Sequence, residues 1–82
     1  MKVSINSLGV IVEFAENEVF AGKSFELSGE RLINGRFLVY RNTARQIFPE
    51  EKECDNQEER VILLCIKKYC SENGLNIEIE GK

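Results

Sequence analysis

The side chains able to do chemistry are unevenly spread along this chain, and the densest group is acidic. Between Glu50 and Glu59 stand the carboxylates Glu50, Glu51, Glu53, Asp55, Glu58 and Glu59, against the single cation Lys52. That stretch carries a local net charge of −5, while the rest of the chain sums to +2. Carboxylates packed this densely can ligate Ca²⁺ or Mg²⁺, but the alternating ligands and central glycine of a calcium loop are missing. Some have simpler work to do: Asp55 and Glu58 are spaced as a reciprocal capping box, and acids in a first helical turn complement the helix dipole. What remains is an anionic surface that steers a basic partner and supplies charge pairs. Glu30, between Gly29 and Arg31, is a lone carboxylate. It suits a loop-fixing acceptor or a partner contact, and alone it cannot run acid and base chemistry.

Histidine is absent, which removes the usual general base near neutral pH and the commonest neutral metal ligand. Ser-His-Asp, Cys-His and HExxH chemistries are thereby excluded. Cys65 falls on an apolar helix face and reads as a core residue, whereas Cys54 and Cys70 are expected to be partly exposed. None has an activating neighbour, and the acids beside Cys54 disfavour its thiolate. Arg31, Arg36, Arg41 and Arg45 surround a strand bearing Phe37 and Tyr40, which suggests a nucleic-acid-binding sheet with the arginine-flanked strand 36–41 at its centre. Against it, Phe37 and Val39 are needed in the core, no RNP-type pattern is present, and the chain's net charge of −3 opposes phosphate attraction.

These groups must be positioned by short strands and one helix. Val3 and Ile5 alternate in a first strand turned by Asn6, Ser7 and Gly9. In a second, Val10 to Phe14, the residues Val10, Val12 and Phe14 share the core face and Glu13 looks outward. A third is expected from about Val19 to Leu27, with Gly22 as a bulge or tight bend and Phe25 and Leu27 inward. A loop with Gly29, Asn34 and Gly35 leads to Phe37-Leu38-Val39-Tyr40, apolar on both faces and so near the sheet centre. Residues Asn42 to Pro49 read as an extended, packed connection, since the only proline opposes helix just before it. Asp55 and Glu58 start a helix that Asn73 and Gly74 close, with Val61, Ile62, Cys65, Ile66 and Tyr69 as its buried stripe and Arg60 and Lys67 roughly opposite. Leu75, Ile77 and Ile79 alternate in a last strand, and an edge of it left unpaired would permit strand addition by a partner.

The order ββββαβ predicts an α+β fold: an antiparallel sheet of about five strands with one helix packed on one face. At 82 residues the chain makes a single domain, 1–82, with one core. No apolar stretch suits a membrane span or signal peptide. An odd number of cysteines without CxxC spacing fits a reducing cytoplasm better than a disulfide framework. The expectation is a binding protein and not an enzyme, with no cofactor, no metal and no small-molecule substrate.

Ser28-Gly29-Glu30, Phe37-Leu38-Val39-Tyr40, an aromatic residue ahead of Pro49, the acid-capped helix with Val61-Ile62 and the closing Leu-x-Ile-x-Ile together resemble the immunity protein 74 family. Where that pattern carries a Trp shortly before the proline, this chain has Ile47 and Phe48. The resemblance covers nearly the whole chain and rests on Gly29, Glu30, Tyr40, Pro49 and hydrophobic spacing. It implies a cytoplasmic bacterial antidote that binds and neutralises a cognate toxin domain, often the C-terminal domain of a contact-dependent growth inhibition effector. A toxin acting on nucleic acid presents a basic cleft, so the segment Glu50 to Glu59, together with Glu30, is the expected contact.

Overall fold

A computed structural model of the chain describes residues 1–80. Its elements are β1 (Lys2–Ile5), β2 (Gly9–Glu13), β3 (Ser24–Arg31), β4 (Phe37–Val39), β5 (Arg45–Phe48), β6 (Lys52–Glu53), α1 (Asn56–Glu72) and β7 (Ile77–Ile79). The fold is α+β, with the single helix on one face of the sheet. Strands β1, β2 and β3 form an antiparallel meander in which Val3 faces Val12 and Val12 faces Phe25. The other edge of β3 is shared: β5 pairs with Ser24–Glu26 and β4 with Gly29–Arg31. From there the sheet branches, β6 adding antiparallel to β5 and β7 adding parallel to β4.

Alternation decides which side is buried. Val10, Val12, Phe25, Leu27, Phe37 and Val39 point to one face and are all but inaccessible, and Ile62, Leu63, Ile66 and Cys70 of α1 cover them. Asp55 accepts from the Glu58 N–H at 2.7 Å while the Glu58 carboxylate accepts from the Asp55 N–H at 3.0 Å, so the expected capping box starts the helix. Gly74 has φ +71° just past its end, the left-handed position glycine tolerates best.

Several expectations change. Residues 19–23 do not belong to the third strand; they continue the polar turn that begins at Ala15. They close a compact turn around Glu18, whose carboxylate accepts from the Ala15 N–H and from the terminal ammonium of Met1. Hydrogen bonding to that ammonium, more than anything else, lowers the Glu18 pKa. Phe20 turns inward between Phe14 and Phe25, edge to face, with centroids 5.0–5.4 Å away. Strand β3 instead continues through Gly29, which has no room for a side chain: a Cβ there would strike the Leu38 carbonyl and the Phe37 ring. The connection Asn42–Pro49 contains β5, because β3 offers it a free edge. Leu75 stays outside the last strand; its N–H donates to the Cys70 carbonyl at the helix end. The buried helix stripe is centred on Ile62, Leu63, Ile66 and Cys70, with Val61, Cys65 and Tyr69 at its half-buried flank. Cys70, expected near the surface, is fully buried, and Cys65, expected in the core, is half-buried.

Candidate partner-binding face

The acidic stretch does not act as one surface. Asp55 and Glu58 are spent on the helix cap. Glu59 is buried, 7% exposed, and its Oε2 accepts from the Asn42 N–H at 2.6 Å and the Thr43 N–H at 3.3 Å. Those N–H groups belong to the interruption between β4 and β5, where Asn42 has φ +63°. The Thr43 hydroxyl fills the adjoining gap, accepting from the Ser28 N–H and donating to the Tyr40 carbonyl. Glu59 is therefore a brace for that turn and is withdrawn from the surface on which it was expected. Glu50, Glu51 and Glu53 remain exposed. The Glu50 carbonyl accepts from buried Gln46 at 3.0 Å, which ties the segment to β5.

A different acidic array comes from strand register. Ser4, Ile11, Glu26, Arg45 and Glu53 lie in one cross-strand row on the face away from α1. The neighbouring row holds Lys2, Glu13 and Ser24. Arg45 reaches Glu51 at 3.1 Å and Glu26 at 3.9 Å. Further along, Glu30 faces Leu38, which faces Glu78. The Tyr40 hydroxyl donates to Glu30 at 2.7 Å, and that bond is the main reason the tyrosine pKa is raised. The helix-free face thus carries Glu13, Glu26, Glu30, Glu51, Glu53 and Glu78 against Lys2, Arg36 and Arg45, around half-buried Ile11, Leu38 and Ile47. The face sets an apolar centre inside a rim of mostly acidic side chains.

Of the residues expected to meet a partner, Glu30, Glu51 and Glu53 come together here, with Glu50 beside them in sequence. Glu13 and Glu26 were not anticipated. Their signal was available in the alternation of β2 and β3, but only pairing those strands in register reveals that both share a face with Arg45 and Glu53.

The arginines of the alternative reading are mostly occupied. Arg36 pairs with Glu78. The Arg41 Nε donates to the Glu80 carbonyl at 2.7 Å, and the Glu80 carboxylate accepts from the Arg41 N–H. Arg45 is held by acids as described. No three His, Cys, Asp or Glu side chains among the described residues gather as a metal-binding group. Cys54 is pushed up to about 11, by burial first and then by Glu58, Glu59 and Asp55, and burial raises Cys65 and Cys70 as well. Such thiols hold little thiolate near neutral pH. No helix among the described residues is long and apolar enough to cross a membrane.

The chain matches no protein-family model, no curated protein and no solved structure.

Proposed function

We propose that this chain is an immunity protein, a cytoplasmic antidote that binds and neutralises a cognate bacterial toxin by protein–protein contact. The toxin is a nuclease-type effector domain of contact-dependent growth inhibition, and its basic surface meets the helix-free face. The observation that carries this reading is the register: it draws Glu13, Glu26, Glu30 and Glu53, from separate parts of the chain, onto one open face, where Arg45 also holds Glu51. Complementary charge of this kind raises association rates and selects partners, while a few buried contacts near Ile11, Leu38 and Ile47 supply most of the affinity. The lack of histidine and the raised thiol pKa values favour binding over catalysis. The nucleic-acid reading loses support because Arg36, Arg41 and Arg45 are engaged with carboxylates or a carbonyl.

The test begins with the reading frame adjoining the gene. Expression of its C-terminal domain should arrest growth, and co-expression of this chain should restore it. Changing Glu13, Glu51 and Glu53 together to Lys should then slow association with the purified toxin domain by about tenfold or more at low salt, and less at high salt. The thermal melt should scarcely move, because all three side chains are exposed. Absence of a toxic neighbour refutes the antidote assignment, and unchanged association kinetics removes this face from the interface.

A further inference from the structure

The opposite charge collects at another edge. Strand β7 ends the branch that begins at β4, and among the described residues no strand pairs with its outer side. The Asn76 carbonyl accepts from the Phe37 N–H, and the Glu80 N–H donates to the Val39 carbonyl. Backbone groups alternate sides along a strand, so Asn76, Glu78 and Glu80 turn theirs to β4. Ile77 and Ile79 therefore turn their N–H and C=O groups outward. Beside this edge lies a groove of about 520 Å³ lined by Arg41, Arg60, Leu63, Leu64, Lys67 and Ile79. Leu64 is 62% exposed, projecting from α1 on the side of the free edge. Arg60 and Lys67 make no ion pair among the described residues, and Arg41 uses only its Nε, on the Glu80 carbonyl. Glu59 also borders the groove, with its carboxylate turned into the Asn42–Thr43 backbone.

We propose that the outer edge of β7 receives an extended acidic segment of a partner protein as an added strand beneath α1. Strand addition satisfies the outward backbone groups of Ile77 and Ile79, and alternate side chains of the guest supply specificity. On the guest face turned to α1, one apolar residue meets Leu64 and Ile79, and the acidic residues two positions before and after it meet Arg60, Lys67 and Arg41. A second copy of this chain suits the edge less well. Antiparallel β7–β7 pairing about a two-fold axis would set the Arg60 and Lys67 of one helix toward those of the other, and like charges so placed repel. The proposal is independent of the acidic face, since it uses another edge and the other sign of charge.

The probe is a synthetic peptide with threonine at every second position and glutamate, valine and glutamate at the positions between, titrated into the full chain and followed by amide resonances and hydrogen exchange. The Ile77 and Ile79 amides should shift and gain protection, and affinity should fall several-fold as salt is raised. Ile79→Pro removes an outward N–H and no ladder bond, a change edge strands accept, and should weaken binding at least tenfold. Because it also trims a half-buried side chain, Ile79→Ala, which keeps the N–H, is the packing control and should bind more tightly than the proline variant. Arg60→Glu combined with Lys67→Glu, both exposed on the helix, should likewise weaken binding at least tenfold, with the melt preserved, and tests the idea even if the proline variant does not fold. The proposal is overturned if the same peptide with lysine in place of glutamate binds equally well, if shifts appear at β1 or β6 instead, or if no shift appears at millimolar peptide. It is also overturned if the free chain sediments as a dimer that Ile79→Pro dissociates, because a second copy would then own the edge.

Discussion

Replacing Glu59 by Ala tests whether that carboxylate is a brace or a surface charge. In the native chain its Oε2 accepts from two backbone N–H groups, at 2.6 and 3.3 Å, and the side chain is nearly inaccessible. Hydrogen bonds to a charged acceptor each contribute roughly 1.5–3 kcal/mol, and a buried N–H left unsatisfied costs a similar amount. The longer bond counts for less, and water entering the vacated space recovers part of the loss. A destabilisation of about 2–4 kcal/mol follows for Glu59→Ala. Glu59→Gln keeps one oxygen acceptor without charge and should lose about half as much, on the order of 1–2 kcal/mol. The control is Glu53→Ala, exposed on β6, which should stay within about 0.5 kcal/mol of the parent. Urea unfolding measures all three, provided the slope with denaturant is unchanged. In the Ala variant, amide exchange at Asn42 and Thr43 should accelerate most. A loss below about 1 kcal/mol, or equal losses for Glu59→Ala and Glu53→Ala, would refute the assignment of Glu59 to the interior.

Gly29→Ala should destabilise by about 1–3 kcal/mol, read from the melt, because its Cβ would collide with the Leu38 carbonyl and the Phe37 ring. With its pKa near 11, Cys54 should be alkylated at pH 8 about a hundredfold more slowly than an unperturbed thiol. Site-resolved mass spectrometry checks this, and denaturant should restore the fast rate. Tyr40 should ionise above pH 10 in a spectrophotometric titration, and Glu30→Gln should return it toward that value. The sign is fixed by the raised pKa of an acid: the Tyr40–Glu30 contribution is present below the ordinary tyrosine value and fades as pH rises through the folded one.

Local rules carried much of the fold. The helix was legible because Asp55, Glu58 and Gly74 each satisfy a terminal requirement that needs no tertiary partner, and the inward set of β2 follows from alternation against Glu13. Failures fall where a residue's role depends on something distant. Gly29 reads as loop punctuation, yet it is a strand glycine required by the approach of Phe37 and Leu38. Residues 19–23 have strand-like composition, but Phe20 gains more by closing over Phe14 and Phe25. Strand β7 pairs in parallel with β4, a choice that alternation cannot express. In the acidic segment, the cap residues were legible from spacing, whereas the fate of Glu59 depends on the Asn42–Thr43 turn that it meets across the fold.

Packing and surface chemistry are linked through the register of β2 and β3. Slipping that pair by one residue would bring Phe25 and Leu27 out and turn Glu26 and Glu30 toward α1, so the buried apolar set holds the acids in place. The core, however, asks only that the outward positions be polar; Thr, Lys or Gln at 13, 26, 30 and 53 would satisfy the same alternation. Some carboxylates have structural partners, Glu59 with the turn and Glu30 with Tyr40. Glu13 and Glu53 have none among the described residues, and Glu26 shares Arg45 with Glu51. Concentrated like charge on an exposed sheet face works against the folded state through self-repulsion. Its sign is thus the property of this face that folding leaves unexplained, and the basic partner proposed above would give it a physical reason.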